Sequence, residues 1–180
     1  MKMKNIAVFC SARENIAQVH HRHAEEIGRW IGENENTLVY GGIAAGLMEV
    51  TAQAVKNSGG KVFGVVPESR KDRQSTLLDE VVYTDSLHVR KKIMEERADA
   101  FVILGGGFGT LDELMSVWAN MNFYGIENKK ILIDNTTGLY NPLREQLAFM
   151  VKENLLNEAV LAKLMFFDDF DKLIDTLNSL

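Results

Sequence analysis

Apolar residues in this chain fall into two kinds of segment that alternate from one end to the other. Asn5 to Cys10 (NIAVFC) is a short, β-rich apolar run, the pattern of a strand buried on both faces. Ile16 to Ile31 has helical spacing instead, with Val19, Ile27, Trp30 and Ile31 on one face. Thr37 to Tyr40 is a second strand, stopping at Gly41-Gly42. Gly46 to Asn57 reads as a helix ended by Gly59-Gly60, and Lys61 to Val66 as a third strand. Pro67 to Leu78 (PESRKDRQSTLL) is polar, charged and aperiodic, the longest candidate loop, and loops of that length often carry function.

The alternation then resumes. Strands are expected near Val81 to Thr84, Ala100 to Leu104, Lys130 to Asp134 and Met165 to Phe167. Helices are expected from Ser86 to Arg97, Leu111 to Phe123, Asn141 to Asn154 and Asp168 to Leu180. The Asn141-Pro142 pair suits a helix entry. Neither a repeat nor a composition break divides the chain, so residues 1–180 read as a single domain. The predicted class is α/β: one doubly wound, Rossmann-like domain with a mostly parallel sheet of about six or seven strands. Ligands of such sheets bind beyond the carboxyl ends of the strands, where the strand order reverses. The segments there are Ser11-Ala12-Arg13, Gly41-Gly42, the Pro67 loop and Gly105 to Thr110.

Composition narrows the function classes. A net charge of -5 and a pI near 5.4 weigh against nucleic-acid binding, which calls for a basic stripe, but leave a local phosphate site open. Cys10 is the only cysteine, which rules out an internal disulfide and suits a reducing compartment. The apolar run Ile6 to Cys10 is too short for a signal segment, and nothing approaches the roughly 18 apolar residues of a membrane span. A cytoplasmic protein is expected.

Candidate chemistry concentrates in Ala100 to Leu114 (AFVILGGGFGTLDEL). Glycines 105, 106, 107 and 109 directly after an apolar strand let the backbone turn sharply and approach a ligand. The helix that follows offers free N–H groups to a phosphate. Neither a dinucleotide fingerprint nor a P-loop is present, since Thr110 and Leu47 stand where a glycine and a lysine would be required. Thr110-Leu111-Asp112-Glu113 also fits a capping box, with Thr110 as the cap and Glu113 bonded back to it. The pattern thus leaves Glu113 open between helix cap and chemical group. Arg90, in the basic run His88 to Lys92, is likewise open between a solvated helix face and a donor fork for an anion. His20, His21 and His23 lack the companions of a zinc site and read as surface histidines; no metal is expected. Cys10 reads as a buried strand-end thiol, and no nucleophile elbow or pyridoxal-phosphate lysine is recognisable.

Taken together, Tyr40-Gly41-Gly42, Gly46-Leu47-Met48, His88-x-Arg90-Lys91 and Gly106 to Glu113 resemble the Lonely Guy family of cytokinin-activating phosphoribohydrolases, often mislabelled lysine decarboxylases. The matches run in order from Phe9-Cys10-Ser11 to Gly125-Ile126. The resemblance implies a Rossmann-like fold in a homodimer. It implies hydrolysis of the N-glycosidic bond of a nucleoside 5′-monophosphate to free base and ribose 5-phosphate, without a cofactor. It makes Arg90 and Glu113 the catalytic pair, and it puts Ser11, Gly41, Gly42, Lys91, Gly106, Gly107, Phe108, Gly109, Thr110 and Asp112 in contact with substrate. The chain departs from the family pattern at Gly105 (proline in the family), at Ile43 and Glu49 (glycines) and at Val89 (glutamate or glutamine). Its Pro67 loop is shorter and carries Arg70, Lys71 and Arg73. A non-catalytic nucleotide- or phospho-ligand-binding protein is the alternative; single-strand DNA binding is disfavoured by the acidic balance and the scarcity of interleaved basic and aromatic residues.

Overall fold

In a computed structural model, residues 3–180 are described. Seven strands form one sheet in the order β4-β3-β2-β1-β5-β6-β7, and every pair is parallel. The strands are β1 (Asn5–Phe9), β2 (Thr37–Tyr40), β3 (Lys61–Pro67), β4 (Glu80–Thr84), β5 (Ala100–Ile103), β6 (Lys130–Asp134) and β7 (Leu164–Phe167). The helices are α1 (Gln18–Glu33), α2 (Gly46–Asn57), α3 (Leu87–Arg97), α4 (Phe108–Phe123), α5 (Asn141–Lys152), α6 (Glu158–Leu161) and α7 (Phe170–Asn178). The sheet is therefore fully parallel, where a mostly parallel one was expected.

Alternate residues of each strand supply two cores. Ile6, Val8, Leu38, Val62 and Val102 face α1, α2 and α7, while Ala7, Phe9, Val39, Phe101 and Ile103 face α3, α4 and α5. That explains the continuous apolar runs: a sheet covered on both faces has no solvated side to mark with polar residues. The chain runs outward from β1 to β4, then returns to lie beside β1 as β5. The helices leaving β1 and β5 accordingly cover opposite faces, and a crevice opens between the segments that follow these two strands.

Some local expectations needed correction. Helix α4 begins at Phe108 with Gly107 as its cap, three residues before the expected start at Leu111. Thr110 therefore lies inside the first turn, and the predicted capping box does not form. The glycines carry no side-chain signal for a helix start, and Thr110, the first residue that does, misplaces it. The Pro67 segment contains a 3-10 turn, Glu68–Arg73, and Gln74 bridges back to Ile43. The four-residue α6 is too short for its periodicity to register. No helix among the described residues is long and apolar enough to cross a membrane.

Helix α1 packs on α2 through Gly28, where an added Cβ would lie 2.5 Å from the Thr51 carbonyl oxygen and 2.7 Å from the Ala54 Cβ. Helix propensity favours Gly28→Ala by about 1 kcal/mol, whereas overpacking costs about 1–3 kcal/mol. The expected outcome is net destabilisation, read as a lower urea midpoint; a raised midpoint would mean that the helices yield freely.

Candidate active site

The crevice at the β1/β5 switch point holds a cavity of about 430 Å³. Its walls come from the segment after β1 (Cys10 to Arg13), from Met48 of α2, from Leu87, Arg90 and Lys91 of α3, and from Gly107 to Thr110 with Asp112 and Glu113. These segments meet because Leu47 N–H donates to the Ser11 carbonyl at 2.9 Å and Ser11 N–H to the Gly105 carbonyl at 3.0 Å. Gly46 lets α2 come this close: its φ is +53°, and a Cβ there would lie 2.6 Å from backbone atoms of Ala12 and Arg13. On the far side, the buried Tyr140 hydroxyl donates to the Leu104 carbonyl at 2.7 Å and braces the start of the glycine loop.

Arg90 and Glu113 meet at the base of the cavity. Arg90 Nη1 donates to Glu113 Oε1 at 3.0 Å, and Arg90 Nε donates to the Val65 carbonyl at 2.9 Å. Both side chains are buried, at 11% and 8% exposure. Glu113 sits one turn deeper in α4 than a capping residue would, so helix geometry leaves it free for this partner. Burial pushes its carboxyl above the ordinary range, and the adjacent guanidinium pulls it back down without fully cancelling the effect. Lys91 Nζ donates to Asp112 Oδ1 at 2.7 Å near the mouth. Cys10 also lines the cavity, but burial, with a further contribution from the charge of Glu113, pushes its thiol far up and leaves it protonated.

The remaining candidates are distributed around this centre. Ser11, Lys91, Gly107, Phe108, Gly109, Thr110 and Asp112 line the cavity. Gly41 and Gly42 do not: Gly41 backs the Arg90 guanidinium, and Gly42 packs against Val66. Gly106 backs onto Thr110 and opens on a neighbouring cavity of about 320 Å³. Arg13 and Met48 also line the site although neither was given a role in it; Arg13 belongs to the segment expected after β1, and Met48 to the Gly46-Leu47-Met48 motif. Among the described residues no group of three or more metal-binding side chains occurs. The surface reading of the histidines fails for His23, whose Nδ1 lies 2.7 Å from Asp134 Oδ2 with 12% of the side chain exposed and whose ring stacks on Phe170. That pairing spans 111 residues, beyond the reach of any local pattern.

A family model described as "Possible lysine decarboxylase" matches residues 48–177. The chain is 35% identical over 159 residues to "Probable cytokinin riboside 5′-monophosphate phosphoribohydrolase LOGL2" of Oryza sativa subsp. japonica, covering 86% of this chain and 64% of that protein. It is 33% identical over 181 residues to the cytokinin riboside 5′-monophosphate phosphoribohydrolase of Rhodococcoides fascians, covering 98% of this chain and 90% of that one. Among solved structures, the molybdenum cofactor carrier protein of Chlamydomonas reinhardtii superposes with a TM-score of 0.76 at 21% identity, over 99% of this chain and 98% of that one, a likeness of fold.

Because the Glu113 carboxyl is raised, its burial counts against folding as pH rises above its ordinary value of 4.5, and Arg90 offsets that cost. Arg90→Met removes the offset. Urea denaturation should show a loss of about 3–5 kcal/mol at pH 8 that shrinks on acidification, as Glu113 takes up a proton. A loss independent of pH would contradict this account of the pair.

Proposed function

The chain belongs to the Lonely Guy family, and from that membership we propose that it hydrolyses the N-glycosidic bond of a nucleoside 5′-monophosphate of adenine or cytokinin type, releasing free base and ribose 5-phosphate. Two members are named as acting on cytokinin riboside 5′-monophosphates, and the chain spans 64% of the length of the first and 90% of the second. The observation that carries the reading is the buried Arg90–Glu113 pair at the base of a cavity walled by the glycine loop.

In this reaction the C1′–N bond breaks, a water oxygen bonds to C1′, and the base departs with the bonding pair and takes up a proton. The sugar becomes oxocarbenium-like at the transition state, and a carboxylate held beside C1′ stabilises that charge. Glu113 is our candidate. Its Oε1 is occupied by Arg90, and Oε2 has no protein donor among the described residues, which leaves an oxygen for the sugar or the attacking water. Arg90 acts here by keeping Glu113 ionised and oriented, its own geometry fixed by the Val65 carbonyl. Lys91, Asp112 and the Gly107–Thr110 segment line the rest of the substrate path.

The whole chain acts as one domain in this reading, as a cytoplasmic homodimer. The exposed apolar rim of the cavity, Leu87 at 63% and Phe108 at 89%, supports the pairing of two copies. Light scattering is expected to return twice the 20.2 kDa of one chain; a monomer at micromolar concentration would remove the dimer from the proposal.

Glu113→Gln is expected to lower release of base from adenosine 5′-monophosphate by about 10²–10⁴-fold, measured by chromatography, with melting temperature and nucleotide affinity retained. Turnover by the wild type should fall on acidification, with an apparent pKa above 4.5, because the ionised form of Glu113 is required and its carboxyl is raised. Nucleotide binding by the wild type without any release of base would overturn hydrolysis in favour of a non-catalytic binder.

A further inference from the structure

The start of the glycine loop is braced from both faces of the sheet. Tyr140 donates to the Leu104 carbonyl from one face, and His20 of α1 covers Gly105 from the other. The three heavy atoms that would lie nearest a Cβ at 105 all belong to the His20 ring, with Cγ and Cε1 at 2.8 Å. Gly105 is fixed in turn to the segment after β1, its carbonyl accepting from Ser11 N–H at 3.0 Å. Two residues further on, Gly107 caps α4, the helix that carries Glu113. The imidazole therefore bears on the entry of that helix without lining the cavity that holds the Arg90–Glu113 pair.

This contact suits the neutral ring alone. Nδ1 is buried against Gly105 without a hydrogen-bond partner. In the neutral form protonated on Nε2 it presents only a lone pair there, whereas an imidazolium would present an N–H with no acceptor. His20 also lies in the first turn of α1, where free N–H groups and the positive end of the helix oppose a cation. The charged and titratable groups around it are Arg13 on the shared cavity wall, His21 and His23 on α1, and Asp134 at the end of β6. Gly105 to Gly107 add none, and Tyr140 is kept neutral by burial. Only Asp134 favours the cation, and it is already paired with His23 Nδ1 at 2.7 Å and accepts from Thr136 Oγ1 at 2.8 Å. Burial outweighs it and holds His20 below the ordinary imidazole range. Beside the ring, a cavity of about 320 Å³ lined by Ile16, Ala17 and Leu139 gives it room to turn.

We propose that His20 is a proton-sensitive positioning residue: its neutral ring holds Gly105 and, through it, the entry of α4, while the protonated ring turns into the neighbouring cavity and lets the loop shift. The movement of the loop follows from the packing alone; its effect on turnover rests on the nucleotide reading above. One proton passes from solvent to Nδ1, and no covalent bond breaks. Because the ring is shifted down from 6.5, the loop is held at neutral pH and released on acidification. Glu113 is shifted up from 4.5, so the two titrations approach each other and substitution is needed to separate them.

The test follows the glycines directly. In protein labelled with heavy nitrogen at glycine only, NMR compares the amides of Gly105, Gly106 and Gly107 with those of Gly59 and Gly125, which lie beyond the C-terminal ends of α2 and α4. Acidifying the wild type is expected to shift the loop amides with one midpoint below 6.5, shared with the His20 ring proton on Cε1, and to leave Gly59 and Gly125 in place. In His20→Phe, whose ring fills the space without titrating, the shift at that midpoint should vanish. The rate at saturating adenosine 5′-monophosphate should fall about tenfold through the same midpoint in the wild type. That limb should be missing from His20→Phe, which keeps only the limb of Glu113, and Gly105→Ala, which expels the ring, should show the lowered rate at every pH. Loop amides that stay in place while His20 titrates, or that shift equally in His20→Phe, overturn the proposal; should His20→Phe not fold, the wild-type titration alone decides. Amides that follow His20 while the rate does not overturn its role in turnover. Amides that follow His20 in a protein that releases no base at any pH uphold the proton-sensitive loop and overturn the nucleotide reading alone.

Discussion

Burying a guanidinium and a carboxylate takes two ions out of water, at a cost of several kcal/mol each that their attraction must recover. At Arg90 and Glu113 the recovery depends on one direct hydrogen bond of 3.0 Å and on a second, from Arg90 to the end of β3. The pair thus ties α3, α4 and β3 together at the mouth of the sheet. Its net charge is close to zero. A ligand entering the crevice meets an oriented, charged oxygen without a strong attracting field, a setting suited to stabilising positive charge that develops on a sugar rather than to capturing a phosphate.

The fold was largely legible because a two-sided parallel sheet writes itself into the chain as uninterrupted apolar runs. Strand β2, helix α2 and strand β6 begin and end where that pattern places them. Helix α4 was misplaced by three residues, since a Gly-rich entry has no side chain to advertise the cap. The site was legible only in part. The glycine loop and the strand-end segments followed from topology, but nothing in the spacing of Arg90 and Glu113 says that residues 23 apart will touch. The family resemblance pairs them, and the fold supplies the physical reason: the helices after β4 and β5 pack on the same face. His23 and Asp134 had neither a local pattern nor a motif to announce them.

His20 and Gly105 illustrate a different kind of dependence. Read separately, one is a histidine without metal companions and the other a break in a glycine-loop pattern. In space they are complementary, the absence of a side chain at one making room for the ring of the other. The one departure from the family pattern in this loop is thereby matched to the ring packed over it.

The strand order has a consequence for how the chain is made. Strand β1 is the central strand of the seven, with β2 on one side and β5 on the other; its Ile6 is in register with Ala100. At a translation rate of about 5–20 residues per second, β1 leaves the ribosome roughly 5–20 s before that second neighbour exists. During this interval β1, β2 and β3 can pair, but one edge of β1 keeps its backbone N–H and C=O groups unpaired, an edge on which nascent chains can join one another. The short stretch NIAVF that anchors the finished sheet is therefore also the segment of the growing chain with the greatest need of shelter.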